Sequence, residues 1–144
     1  MLTPSYGWDA GFRGAELARR RDADHALLNE WLARRLGALA WLVEPEVSFN
    51  RYGDRGRIDL LAYQPVARLL LAVEVKTVIA DVQELLGGLH MKQRIALGEA
   101  QRFVWDPVAV VPMLIVMDGT TNRRRVNAHA RLFAGLALRH AAMG

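Results

Sequence analysis

Hydrophobic residues repeat at helical spacing in three parts of the chain. In the first part, Leu28, Leu32 and Leu36 form one apolar stripe, and Asp24 before them is a residue type that caps helices. The predicted helices cover residues 24–39, 80–100 and 121–140, and Thr121 or Asn122 is expected to cap the last one.

Four other segments have the composition of β-strands. They cover residues 41–49, 57–63, 68–77 and 112–117. Hairpin-turn residues at 50–54 separate the first two strands, and the pair Gln64-Pro65 ends the second. The apolar run in the third strand is typical of a strand buried on both faces. The order α-β-β-β-α-β-α predicts an α/β domain.

The length of 144 residues fits one domain. Residues 1–22 contain several glycines and predict an irregular N-terminal arm, with at most a short helix at 15–20; residues 23–144 then form the domain. Three aromatic side chains in this arm are expected to dock on the domain or on a second subunit. They are Tyr6, Trp8 and Phe12.

The amino-acid composition excludes some classes of function and is consistent with others. The chain has no cysteine, which excludes disulfides and thiolate chemistry. It carries 19 basic and 15 acidic residues, a net charge of +4, and all but two of the basic residues are arginine. Arginine suits phosphate oxygens, so a nucleic-acid partner is consistent with this composition. No apolar stretch approaches the roughly 20 residues of a membrane span, so we expect a cytoplasmic protein with no membrane partner.

Charged residues interrupt two of the apolar strands. Side chains alternate along a strand, so Glu74 and Lys76 point the same way. If the second and third strands pair through the turn at 64–68, Asp59 lies nearly opposite Glu74. Two carboxylates at so short a distance repel each other unless a cation lies between them. Mg²⁺ and Mn²⁺ prefer oxygen ligands of this kind.

These residues, in this order of elements, resemble the PD-(D/E)xK or restriction-endonuclease-like superfamily. The strings GRIDLLA (56–62) and LLAVEVKT (70–77) carry the resemblance. It implies an α-β-β-β-α-β core with a mixed four-stranded sheet flanked by helices, to which this chain adds a C-terminal helix. The chain is also similar to actinobacterial-type proteins in which this domain follows a helix-turn-helix module. Its 144 residues leave no space for that module, so we expect either a stand-alone version or a fragment of a longer protein.

The resemblance assigns roles to individual residues. Asp59 and Glu74 would bind Mg²⁺ or Mn²⁺ together with the Val75 carbonyl, and Lys76 would orient the attacking water. Glu30 on the first helix would add a ligand, and Gln83 would support the site. Alternatively, Glu30 simply pairs with Arg34, and Gln83 is an ordinary polar helix position. A tyrosine that accompanies this glutamine in some branches is absent, because position 87 is glycine.

Several basic residues are candidates for binding nucleic acid, with solvated helix faces as the alternative. They are Arg55, Arg57, Lys92, Arg94, Arg123, Arg124 and Arg125. The adjacent Gly87 and Gly88 either let nucleic acid approach closely or pack tightly within the fold. The four histidines show no metal-ligand spacing and are interpreted as surface or interface residues.

The expected function is therefore a Mg²⁺- or Mn²⁺-dependent endonuclease that acts on DNA, with RNA not excluded. Enzymes of this fold often pair subunits to cut both strands, which suggests a homodimer. Two alternatives remain. One is a non-catalytic nucleic-acid-binding or regulatory domain of the same fold, and the other is a dimerisation module of a larger DNA-binding protein.

Overall fold

The structure is a computed structural model that describes residues 3–142, with side chains described from residue 13 onward. One short 3₁₀ turn at Gln101–Phe103 follows the second helix. The elements in chain order are α1 (Thr3–Ala38), β1 (Leu42–Arg51), β2 (Asp54–Gln64), β3 (Leu69–Lys76), α2 (Val82–Ala100), β4 (Ala109–Met117), α3 (Thr120–Ala128), α4 (Ala130–Phe133) and β5 (Ala137–Ala141).

The strands form one mixed sheet in the order β1-β2-β3-β4-β5. The first three strands are antiparallel, while β3, β4 and β5 run parallel to one another. The prediction of an α/β domain with a mixed sheet flanked by helices is confirmed, but the predicted count of four strands is wrong because β5 adds a fifth.

Helices α1 and α2 each pack on an apolar cluster of the sheet. Leu28, Leu32 and Leu36 of α1 pack with Leu60 and Val73. On α2, Ile95, Ala96 and Ala100 pack in a second cluster that includes strand residues from β1, β2 and β3. Burying each of these leucines, or Ile95, contributes about 1.5–3 kcal/mol, so both helices are held on the sheet at these positions.

The N-terminal segment differs from its prediction. Helix α1 begins at Thr3, so residues 3–22 are helical rather than an irregular arm, and Asp24 lies inside the helix rather than capping it. Residues 15–21 are alanine, glutamate, leucine and arginine, which all favour helix, and no proline interrupts them. The predicted docking of Tyr6, Trp8 and Phe12 lies outside the described side chains.

The C-terminal segment also differs. The predicted helix over 121–140 ends at Ala128, a short α4 follows, and the chain then forms β5 parallel to β4. From Leu136 to His140 burial alternates with a period of two, which is the strand pattern. In the sequence, Val126, Ala130, Phe133 and Ala137 have helical spacing, which favoured a helix over the same segment.

Asn122 ties the ends of two central strands together. The helix α3 begins after Gly119, so neither Thr121 nor Asn122 caps it as predicted. The buried Asn122 side chain instead accepts a hydrogen bond from the Ile79 amide at 3.0 Å and donates to the carbonyls of Thr77 and Met117. These bonds fix the chain where it leaves β3, immediately after Lys76.

Candidate active site

Asp59 and Glu74 lie on the neighbouring strands β2 and β3 and line one cavity. The paired residues of the two strands end with Leu60 opposite Val73, and Asp59 and Glu74 are the next residue of each strand beyond that pair. Both residues are buried, and 9% of each side chain is exposed. The predicted pairing of these strands through the turn after Gln64 is confirmed. Two carboxyl groups are therefore held close together inside the protein.

The ladder between β1 and β2 is interrupted at Asp59. Pro45 pairs with Leu60 and Val47 with Ile58, but the intervening Glu46 does not pair with Asp59. Glu46 has a φ of 53°, a left-handed conformation that is strained for a residue with a side chain. This interruption releases the main chain of Asp59 from the regular sheet.

Helix α1 compensates for the interrupted ladder. The amide of the buried Asn29 donates a hydrogen bond to the Asp59 carbonyl oxygen at 2.9 Å. One turn earlier on the helix, His25 Nε2 lies 3.3 Å from Asp59 Oδ1. The other carboxylate oxygen, Oδ2, accepts the Val75 amide hydrogen at 2.8 Å. Asp59 is thus fixed through both its main chain and its side chain.

These contacts favour an ionised Asp59. Burial opposes the charge, but the hydrogen bonds from His25 and from the Val75 amide outweigh it and hold the pKa of Asp59 below its usual value. The hydrogen bond to Asp59 raises the pKa of His25, against the opposing effect of burial. Both shifts favour the charged pair of an imidazolium and a carboxylate.

Glu74 has the opposite tendency. Burial, and next the nearby charge of Asp59, raise the pKa of Glu74. Two lysines oppose this increase. Lys92 Nζ of α2 lies 2.5 Å from Glu74 Oε2, and Lys76 Nζ lies 3.8 Å from Oε1. The two ammonium groups supply positive charge where two buried carboxylates would otherwise repel each other.

The carboxylates open onto a cleft. Asp59, Glu74 and His25 line a cavity of about 440 Å³, which also contacts Arg21 and Lys76. A second cavity of about 460 Å³ adjoins it. Six residues line both cavities: Arg57, Glu74, Lys76, Val78, Ala80 and Lys92. The charged groups therefore converge at an accessible surface and are not sealed beneath the core.

Arg55 and Arg57 are exposed on β2 and line the second cavity, as their predicted role requires. Lys92, also predicted to contact nucleic acid, is instead turned inward onto Glu74, and its side chain is 15% exposed. Gly88 borders the second cavity. A Cβ atom at Gly87 or Gly88 would have no neighbour within 4 Å among the described residues, so tight packing does not explain these glycines.

Two further predicted residues lie away from the carboxylates. Glu30 is exposed and pairs with Arg34, with 3.2 Å between Oε1 and Nη1, as the alternative interpretation expected. Gln83 is exposed and lines a separate small cavity with Arg125 and His129. The structure brings neither of them to Asp59 and Glu74.

The remaining predicted arginines do not gather at the cleft. Arg94 and Arg124 are exposed on their helices. Arg123 pairs with Asp118 at 2.5 Å, and Arg125 donates to the Ile79 carbonyl oxygen. None of these four lines the two cavities around Glu74.

The sequence pattern did not identify His25 or Asn29 as site residues. His25 was interpreted as a surface or interface residue, and the structure instead places it against Asp59. The spacing of four residues between two polar side chains beside the leucine stripe was the available signal. It could not be used without knowing which strand the helix covers.

The oxygen atoms around Asp59 and Glu74 meet some, but not all, of the requirements of a site for a hard divalent cation. Two neighbouring carboxylates and the adjacent Val75 carbonyl are oxygen donors, and Mg²⁺ needs few protein ligands because it retains water. Among the side chains that the structure describes, from residue 13 to residue 142, no group of three or more His, Asp or Glu side chains is arranged to hold a metal ion. A metal ion bound through Glu74 Oε2 would displace Lys92, whereas Oε1 has its ammonium neighbour, Lys76, at 3.8 Å.

A comparison with protein-family models finds no match for the chain, and a comparison with curated protein sequences finds none either. Among the described residues, no helix is both long enough and apolar enough to cross a membrane.

Proposed function

We propose that this protein is a Mg²⁺- or Mn²⁺-dependent nuclease that hydrolyses phosphodiester bonds of DNA. The observation that carries the proposal is the pair of buried, neighbouring carboxylates, Asp59 and Glu74, at the bottom of a cleft that also presents Lys76. Such an arrangement is costly for folding unless a cation compensates it, and costly charge arrangements at a cleft are typical of functional sites.

Asp59, Glu74 and the Val75 carbonyl would hold the ion. When bound, it would supply an activated water and neutralise charge on a phosphate oxygen. The chain's own residues prepare this chemistry. His25 keeps Asp59 ionised, while Asn29 and the Val75 amide fix its position.

Lys76 is suited to the phosphate itself. Its side chain is 41% exposed and lines both cavities, so it can reach a bound phosphodiester while it remains near Glu74. There it would orient the attacking water and balance the negative charge that develops on the phosphate oxygens. Hydrolysis then joins the water oxygen to phosphorus, breaks one P–O ester bond and leaves a hydroxyl group on the departing strand.

Activity is tested by incubating the protein with Mn²⁺ and a panel of supercoiled, linear, branched and single-stranded DNA, and RNA. We expect cleavage of DNA by the wild type, and a loss of at least about a hundredfold in Lys76→Ala and Glu74→Gln. Glu30→Gln removes a matched exposed glutamate and should cleave normally. Cleavage that persists unchanged in Lys76→Ala would contradict the mechanism.

A second candidate is a non-catalytic nucleic-acid-binding domain. It is favoured by one observation: each oxygen of the two carboxylates already has a protein partner within 4 Å, namely His25, the Val75 amide, Lys76 and Lys92. A site neutralised in this way can be stable without metal. This candidate predicts DNA binding with no Mn²⁺ binding at millimolar concentration.

A further inference from the structure

Residues 13–23 of α1 lie outside the hydrophobic core. Residues 13–23 are all exposed, whereas Leu28 and Leu32 farther along the helix are buried. We call residues 13–22 the arm. At about 1.5 Å per residue, the arm reaches about 18 Å along the helix axis beyond His25. Within the described part of the chain, no apolar cluster includes an arm residue.

The arm is basic. It carries four arginines and two acidic residues, and one of the arginines, Arg20, pairs with Glu16 at 3.5 Å. Leu17 is its only large hydrophobic side chain, and it is about half exposed. A surface of this kind offers little apolar area for association with another protein helix. The guanidinium groups instead suit phosphate oxygens, with which they form paired hydrogen bonds.

The arm begins at the edge of the candidate active site. Arg21 lines the same cavity as Asp59 and Glu74, and it lies one helical turn before His25 on the same helix face. Arg57 lines this cavity from β2. Arginines of the strand and of the arm therefore flank the cleft, which Asp22 of the arm also lines. A polyanion bound in the cleft would extend naturally beside the arm.

We propose that the arm binds the phosphate backbone of the DNA strand that enters the cleft. The proposal rests on the proposed function, and it names the arm as the surface that holds the substrate beyond the reacting phosphate. A second copy of this chain is a poorer occupant, because two arms with an excess of arginine would repel each other. An isolated helical stretch of this length is marginal in water, so the contact would also stabilise the arm.

The test measures binding without cleavage. Fluorescence anisotropy is recorded for the full chain with labelled single-stranded and duplex DNA, in EDTA and over a range of salt concentrations. The variant Arg19→Ala/Arg20→Ala/Arg21→Ala removes three arm charges and replaces them with a residue that favours helix. The matched control, Arg34→Ala/Arg35→Ala/Arg131→Ala, removes three exposed arginines that do not line the cleft.

We expect the arm variant to bind DNA at least about tenfold more weakly than the wild type. The magnitude of the slope of log affinity against log salt concentration should fall by about 2, because each lost phosphate contact lowers that magnitude by about 0.7–0.9. The control variant should change the slope by less than about 1. Equal losses in both variants, an arm variant that binds like wild type, or no DNA binding by the wild type would overturn the proposal. So would a change confined to self-association, measured by sedimentation.

The results distinguish a failure of the proposal for the arm from a failure of the proposed nuclease activity. Arm-dependent binding in EDTA with no cleavage in Mn²⁺ retains the arm and rejects the nuclease. Cleavage in Mn²⁺ that survives the arm substitutions, with unchanged binding, rejects the arm and retains the nuclease.

Discussion

Lys92 Nζ lies 2.5 Å from Glu74 Oε2, so α2 places an ammonium group directly on one of the two neighbouring carboxylates. The contact joins α2 to β3, and it is largely shielded because both side chains are at most 15% exposed. A divalent ion that binds Glu74 through Oε2 must replace this ammonium. Lys92 therefore stabilises the fold of the metal-free protein, and it would compete with a metal ion for Glu74.

Lys92→Met tests both roles. Without metal, the variant leaves Glu74 buried beside Asp59 with a weaker counter-charge, so we expect a loss of about 1–3 kcal/mol in the free energy of unfolding. With Mn²⁺, the variant should recover part of this loss, because the ion no longer competes with the ammonium. The measurement is urea unfolding in EDTA and in Mn²⁺. Lys92→Arg keeps the charge and serves as control; equal stability of Lys92→Met and wild type in EDTA would contradict the interpretation.

The His25–Asp59 contact should make stability depend on pH. The pKa of Asp59 is lowered from 3.8 in the folded protein. Its contribution to the free energy of unfolding is therefore complete above pH 3.8 and is lost as the pH falls through the lower pKa of the folded state. The pKa of His25 is raised from 6.5, so its contribution is complete below 6.5 and is lost as pH rises through the higher, folded-state value.

The stability difference between wild type and His25→Ala should thus be largest between these limits, near pH 5, and smaller at pH 9. Urea unfolding at several pH values measures it, and exposed His129→Ala is the control for a histidine away from the cleft. A difference that stays constant from pH 5 to 9 would show that the contact with Asp59 does not involve a charged imidazole.

Asn122 is expected to be one of the most sensitive polar positions in the fold. Asn122→Ala would leave the Ile79 amide and two strand-end carbonyls without partners, at a cost of about 2–4 kcal/mol. Asn127→Ala, on the exposed side of the same helix, should change stability by at most about 0.5 kcal/mol. Denaturant midpoints for the two variants provide the comparison, and similar midpoints would contradict the role given to Asn122.

The strands that carry the carboxylates could be predicted from sequence because their signal is local. Asp59 and Glu74 interrupt apolar runs, and the short turn between those runs fixes which residues face each other. Their partners could not be predicted in this way. Whether Lys92 points outward or onto Glu74 depends on how α2 docks on the sheet, which the helix's own pattern does not specify.

The two ends of the chain illustrate the same limit. The pairing of β5 with β4 joins segments more than 20 residues apart, and the apolar residues before it also satisfy a helical stripe. At the other end, the glycines of residues 7–14 favoured an irregular segment, yet each costs a helix only about 1 kcal/mol and does not stop it.

The most direct test of the central claim is titration of Mn²⁺ into the wild type, Asp59→Asn and Glu74→Gln, with Glu30→Gln as the control and calorimetry as the measurement. Joint ligation by Asp59 and Glu74 predicts one ion per chain for the wild type and for Glu30→Gln. It predicts affinity at least about tenfold weaker in each of the other two variants. Wild-type protein that binds no Mn²⁺ at millimolar concentration, or binding that is indifferent to both substitutions, would contradict the account.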